Sequence, residues 1–194
     1  MQEILLSLSS LIAVIGPITY IISILRGISK PQRMTRFILF FVMTLNFISI
    51  ISANGNLGAK VFAGIVCFQA IIIFVLSLWR GMGGANRFDY FCLVIAALGL
   101  VIWKLTGNPV MGIIFSIIAD FFAYLPAFVK TWHHPETESV WYYILTALSA
   151  FLGVMAYKIE VSSLFQIYIL LSCLVMVGFI YRESIGLRIK KDSH

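Results

Sequence analysis

The sequence predicts an all-α integral membrane protein, and three observations carry that prediction. Of its 194 residues 61% are hydrophobic and 11% charged, with a mean hydropathy of +1.00; a soluble domain would be about a quarter charged. Apolar segments of about 20 residues recur, the length that crosses a hydrocarbon core of about 30 Å. Those segments are continuous rather than alternating, and in lipid only helices or closed barrels satisfy the backbone. The spans are therefore expected to be helices.

Seven spans are expected, over residues 4–25, 37–52, 61–79, 88–105, 110–129, 140–157 and 163–181. The first follows Met1, Gln2 and Glu3 with no basic n-region and is too long for a signal's h-region, so it reads as a retained span. The second is short and carries Asn46; the third carries Gln69 and closes on Trp79 and Arg80. The fourth stands alone. The fifth holds Asp120, Tyr124 and Pro126, the sixth Ser149, and the seventh Ser172 and Cys173 ahead of a basic tail. Trp79, Trp103, Trp132 and Trp141 lie near span ends, where aromatic residues anchor to the interface.

The connectors orient these spans. Arg26, Lys30, Arg33, Arg36, Arg80, Arg87, Lys130, Arg182, Arg188, Lys190 and Lys191 fall on one side, against Lys60, Lys104 and Lys158 on the other. Basic residues concentrate on the cytoplasmic side, which puts the N-terminus outside and the C-terminus in the cytoplasm. The net charge of +6 is explained by this topology, so nucleic acid is not an expected partner. The lipid bilayer is.

One stretch recurs. Residues 120–139, DFFAYLPAFVKTWHHPETES, share an outline with residues 16–35, GPITYIISILRGISKPQRMT. Tyr20 matches Tyr124, Arg26 matches Lys130, Pro31 matches Pro135, Thr35 matches Ser139 and Phe47 matches Phe151, all at an offset of 104. Spans one to three then form one unit, residues 1–82, and spans five to seven another, residues 108–194. An odd number of spans would invert the second copy, and the single linker span within residues 83–107 restores its direction. The expected architecture is 3+1+3: two parallel three-helix repeats related by an axis along the membrane normal.

That plan resembles the PQ-loop and SWEET transporters. Leu125-Pro126-Ala127-Phe128-Val129-Lys130 is similar to their Pro-Gln motif, with alanine where glutamine is usual, and residues 131–139 resemble their link to the second helix. The first unit departs from the pattern: Ile22 stands opposite Pro126, the nearest helix proline is Pro17, and Pro31-Gln32 aligns with Pro135-Glu136 in the loop. The resemblance implies a carrier of small solutes.

Polar residues near the span midpoints are the candidate site. Asn46, Gln69, Asp120, Ser149 and Ser172 come from both units at similar depth, and polar side chains in hydrocarbon usually face the bundle interior. Gly16, the counterpart of Asp120, is expected to leave room opposite it. Asp120 and Tyr124, four residues apart, share a helix face, and Tyr20 repeats Tyr124. Asp120 is read either as a proton or solute site or as a packing group bonded to Asn46, Gln69 or a helix hydroxyl. Pro126, which removes an amide donor and clashes with the carbonyl one turn back, is a candidate hinge or a fixed bend, as is Pro17.

Other chemistries find little footing. Cys67, Cys92 and Cys173 have no metal or disulfide spacing, His133 and His134 read as solvated loop residues, and no cofactor or metal is expected. One membrane carboxylate does not make an aspartyl protease, no P-loop is present, and the last span lacks a Schiff-base lysine, so an enzyme is not expected. Two functions stay open: a carrier of a small polar solute by alternating access, proton-coupled through Asp120 or passive; or a non-transporting seven-helix receptor, scaffold or accessory subunit. Seven spans can enclose a pathway in one chain, and a homo-oligomer is equally compatible. The short loops point to a prokaryotic cytoplasmic (plasma) membrane.

Overall fold

The structure, a computed structural model, describes residues 2–31, 33–81, 87–133, 135, 138–156 and 159–191. Among them are seven α-helices: α1 (Gln2–Leu25), α2 (Arg33–Ser52), α3 (Leu57–Arg80), α4 (Arg87–Thr106), α5 (Pro109–His133), α6 (Val140–Ala156) and α7 (Leu164–Lys191). A 3-10 turn, Val161–Ser163, leads into α7, and the described residues form no strand. Five helices are long and apolar enough to cross a membrane: α1, α2, α3, α5 and, with its leading turn, α7 up to Arg182. The 17 residues of α6 reach about 26 Å at 1.5 Å per residue.

Three helices outrun their apolar cores. α2 begins at Arg33 rather than at residue 37, so Arg33 and Arg36 lie on a helix and not in a loop. Arginine is a good helix former, and Arg33 Nε donates to the Ser77 carbonyl at 3.2 Å. α5 continues to His133, taking up Trp132, before Pro135 intervenes. α7 continues past residue 181 to Lys191. Apolar patterning marks where hydrocarbon begins, and the helix runs on into the interface.

The turns are locally encoded. After α1 the chain closes on Gly27 (φ 75°), with the Ile28 N–H reaching the Ser23 carbonyl at 3.0 Å. After α2, Asn54 takes the same left-handed position (φ 51°), and the Gly55 N–H bonds the Ile50 carbonyl. Both are the helix-ending pattern that glycine and asparagine favour. The Asn56 side chain then caps α3 by accepting from the Ala59 N–H at 2.8 Å. Asn108 accepts from the Val110 N–H ahead of α5, whose first residue is Pro109, a favoured helix start.

Packing is most extensive between α1 and α6, followed by α6 with α7, α2 with α3, α4 with α5, and α2 with α5. Smaller contacts join α1 to α3, α5 to α7, α2 to α4 and α3 to α6. The α1–α6 seam carries a reciprocal bond: the Ser9 hydroxyl donates to the Ser149 carbonyl, and the Ser149 hydroxyl to the Ser9 carbonyl, each at 2.8 Å. Small residues that let backbones approach, with hydroxyls bonding across, are how helices associate where lipid supplies no hydrophobic drive. Gly99 serves the α4–α5 contact, since a Cβ there would sit 2.4 Å from the Phe115 Cβ. Ile4, Leu11, Phe68, Leu171 and other large apolar residues point outward, as a lipid-facing surface requires.

Candidate functional site

α2, α3, α5 and α6 enclose a small cavity, lined on α2 by Arg36, Leu39 and Met43. α3 contributes Val66, Gln69, Ala70 and Ile73, while Tyr124 of α5 and Tyr142 of α6 complete the wall. The spacing explains the selection: residues 36, 39 and 43, and residues 66, 69, 70 and 73, each recur at helical intervals and so share one face. The cavity holds about 30 Å³, room for a water molecule or two. It lies toward the end of the bundle where α2 and α6 begin.

Aromatic rings and one cation wall that end. Arg36 is half-buried, donates from its terminal nitrogen to the Tyr20 hydroxyl at 2.7 Å and stands 5.0 Å from the centroid of the same ring. Tyr20 stacks on Tyr142 at 5.0 Å, and Tyr142 meets Tyr143 edge-on. The Tyr143 hydroxyl donates to Glu138 Oε2 at 3.0 Å.

Asp120 lies farther along α5 and is fully buried. The Tyr168 hydroxyl of α7 donates to Asp120 Oδ2 at 2.6 Å, while Oδ1 has no hydrogen-bond partner among the described residues. Ser172, one turn from Tyr168, also reaches that phenol. One turn earlier on α5, Ser116 donates to Asn46 Oδ1 at 3.2 Å and to the Ile113 carbonyl at 2.7 Å. Residues 116, 120 and 124 thus present one face of α5, and polar groups follow it from Asn46 to the cavity.

The expected residues separate into three places. Tyr124 and Gln69 line the cavity, with Tyr20 just behind Arg36. Asp120, Ser172 and Asn46 occupy the buried polar face beyond it. Ser149 belongs to the α1–α6 seam, bonded to Ser9, and lines no part of the cavity. Gly16 packs against α6 rather than opposite the carboxylate: a Cβ there would sit 3.4 Å from the Leu145 Cβ and the Thr146 hydroxyl. Pro17 is buried within an unbroken α1, and the backbone of α5 runs through residue 126 as helix. The Pro126 and Trp103 side chains, with Gln32, His134 and Glu136, lie outside the described residues.

Arg36, Tyr142, Ser116 and Tyr168 enter the site without having been expected there. Arg36 was hidden by its charge, which assigned it to a loop, although its spacing to Leu39 and Met43 continues their helical face. Tyr168 was detectable as the residue one turn before Ser172. Among the described residues no group of three or more His, Cys, Asp or Glu could hold a metal ion. Compared with protein-family models, with curated proteins and with solved structures, the chain matches none.

Proposed function

We propose that this protein is a carrier that moves a small polar solute across the cytoplasmic membrane by alternating access, with Asp120 as its proton-exchanging group. The observation that carries the proposal is the Asp120 carboxyl itself, fully buried among apolar helices with one oxygen unpartnered among the described residues. Leaving such a group inside a bundle is costly, and ionisable residues at this depth usually serve a pathway. The adjoining cavity between α2, α3, α5 and α6 supplies a place for solute. At about 30 Å³ it is smaller than such a solute, so helices must part to admit cargo.

The helix pairings support a 3+1+3 organisation with units at 1–82 and 108–194. Shifting α1, α2 and α3 onto α5, α6 and α7 turns the α1–α3 contact into α5–α7, and α2–α3 into α6–α7. The same shift turns α1–α6 into α5–α2, also among the major contacts. Six pairings thus obey one exchange, while α3–α6 has no α7–α2 counterpart among the main contacts; the six are the pattern expected of two like-facing units and of a PQ-loop or SWEET-like carrier. In this arrangement α4 is the linker, the N-terminus is outside and the C-terminus cytoplasmic.

Uptake into proteoliposomes tests the function. A panel of labelled sugars, amino acids, hydroxy acids and nucleosides should include at least one solute whose flux follows an imposed pH gradient. Asp120→Asn should abolish that dependence while the protein remains folded. Flux that follows the gradient equally in the variant would mean that Asp120 is not the coupling group, and flux that ignores the gradient in both proteins would leave a passive facilitator. No flux for any solute would favour the non-transporting receptor, scaffold or accessory role.

A further inference from the structure

We infer that the cavity recognises a short-chain carboxylate bearing a hydroxyl or amino group, with Arg36 as the anion-binding residue and Gln69 as the acceptor for that second group. The substrate class rests on the carrier proposed above. Its basis is two polar residues that line one space, each with bonding capacity unfilled among the described residues. Arg36 lines the cavity, and among the described residues Tyr20 takes one of its five N–H donors. Its described contacts are phenols and an aromatic face, with no carboxylate among them. A half-buried guanidinium in such a setting gains from an anion, which it grips with two parallel N–H bonds.

Across the same cavity, Gln69 Oε1 is buried and without a hydrogen-bond partner among the described residues. An amide oxygen in that state calls for a donor. A ligand that brings a carboxylate to α2 and an O–H or N–H to α3 satisfies both at once. Leu39, Met43, Val66, Ala70 and Ile73 make most of the remaining wall apolar beside Tyr124 and Tyr142, which suits a short hydrocarbon chain over a polyhydroxylated ring. A proton carried by Asp120 would accompany the anion without net charge movement.

Thermal stabilisation of the purified full-length protein tests this with lactate and 2-hydroxyisocaproate, each beside its primary amide. The acids should stabilise the protein and the amides should not. Arg36→Gln should weaken acid binding at least tenfold, with Arg36→Lys intermediate, and Gln69→Leu should erase the preference for lactate over propanoate. Size-exclusion profiles and the ligand-free unfolding midpoint establish that each variant is folded. Equal stabilisation by acid and amide, or acid binding unchanged in folded Arg36→Gln, overturns the substrate class. Vesicle uptake separates the two failures: flux of a neutral solute untouched by Arg36→Gln overturns the carboxylate inference and leaves the carrier standing, whereas flux of nothing overturns both.

Discussion

At the scale of single residues, the polar chemistry concentrates on Asp120 and its neighbour Tyr168. The phenol supplies the one hydrogen bond described for the carboxyl, across the α5–α7 contact. Tyr168→Phe should lower stability by about 1–3 kcal/mol, the cost of leaving a buried acceptor unpaired. Unfolding in detergent would measure it. The same substitution in an Asp120→Ala background should cost little, since no acceptor remains to be stranded. Equal losses in the two backgrounds would mean that the hydrogen bond contributes nothing. Asn46 is placed differently: it accepts from Ser116 and joins α2 to α5, so Ser116→Ala should cost about 0.6 kcal/mol, the usual worth of such interhelical bonds.

At the scale of helices, closeness is set by small residues and by clasps at the ends. Gly99 admits Phe115 so tightly that any side chain must push α4 from α5. Gly99→Leu should sharply reduce the yield of folded protein, whereas Gly178→Ala, with open space around residue 178, should leave it intact. The far ends of α5 and α7 are joined by Arg182, which stacks 3.4 Å from the Trp132 ring centroid and donates to the Trp132 carbonyl at 2.6 Å. That interaction explains how α5 finishes beyond its apolar span, because the arginine meets a carbonyl the helix itself leaves open. Arg182→Ala should cost about 1 kcal/mol at this exposed site, seen as a lower unfolding midpoint.

For the whole molecule, the consequences follow from which loops share a side. The α2–α3 turn meets the turn before α7, where Gly55 abuts Ser162 and Asn56 reaches Ser162 and Ser163 at 3.5 Å. At the other end the α1–α2 connection lies against the end of α3, where a Cβ on Gly81 would collide with the Pro31 carbonyl. With the proposed orientation, a cysteine at Lys30 should react with a membrane-impermeant maleimide only from the cytoplasmic side. A cysteine at Asn54 should react only from outside. Labelling of intact cells and inverted vesicles distinguishes them, and the reverse pattern would invert the topology and place Arg36 at the outer mouth.

Much of this was legible in order along the chain. Apolar runs located the helices, and Asp120, Gln69 and Tyr124 stood out as polar groups in hydrocarbon. Helix ends were harder, because Arg33, Arg36 and Trp132 suit both an interface and a helix. Partnership was not legible at all. Nothing in the local pattern distinguishes Ser149, spent on the α1–α6 seam, from Ser172, which faces the Tyr168 phenol, or reveals that Arg36 turns inward over Tyr20. Hydropathy depends on each residue's own transfer from water to lipid, so the sequence alone determined which segments are helical and apolar. Which face of each helix meets which neighbour depends on packing between segments far apart in the chain, and only the tertiary structure decided it.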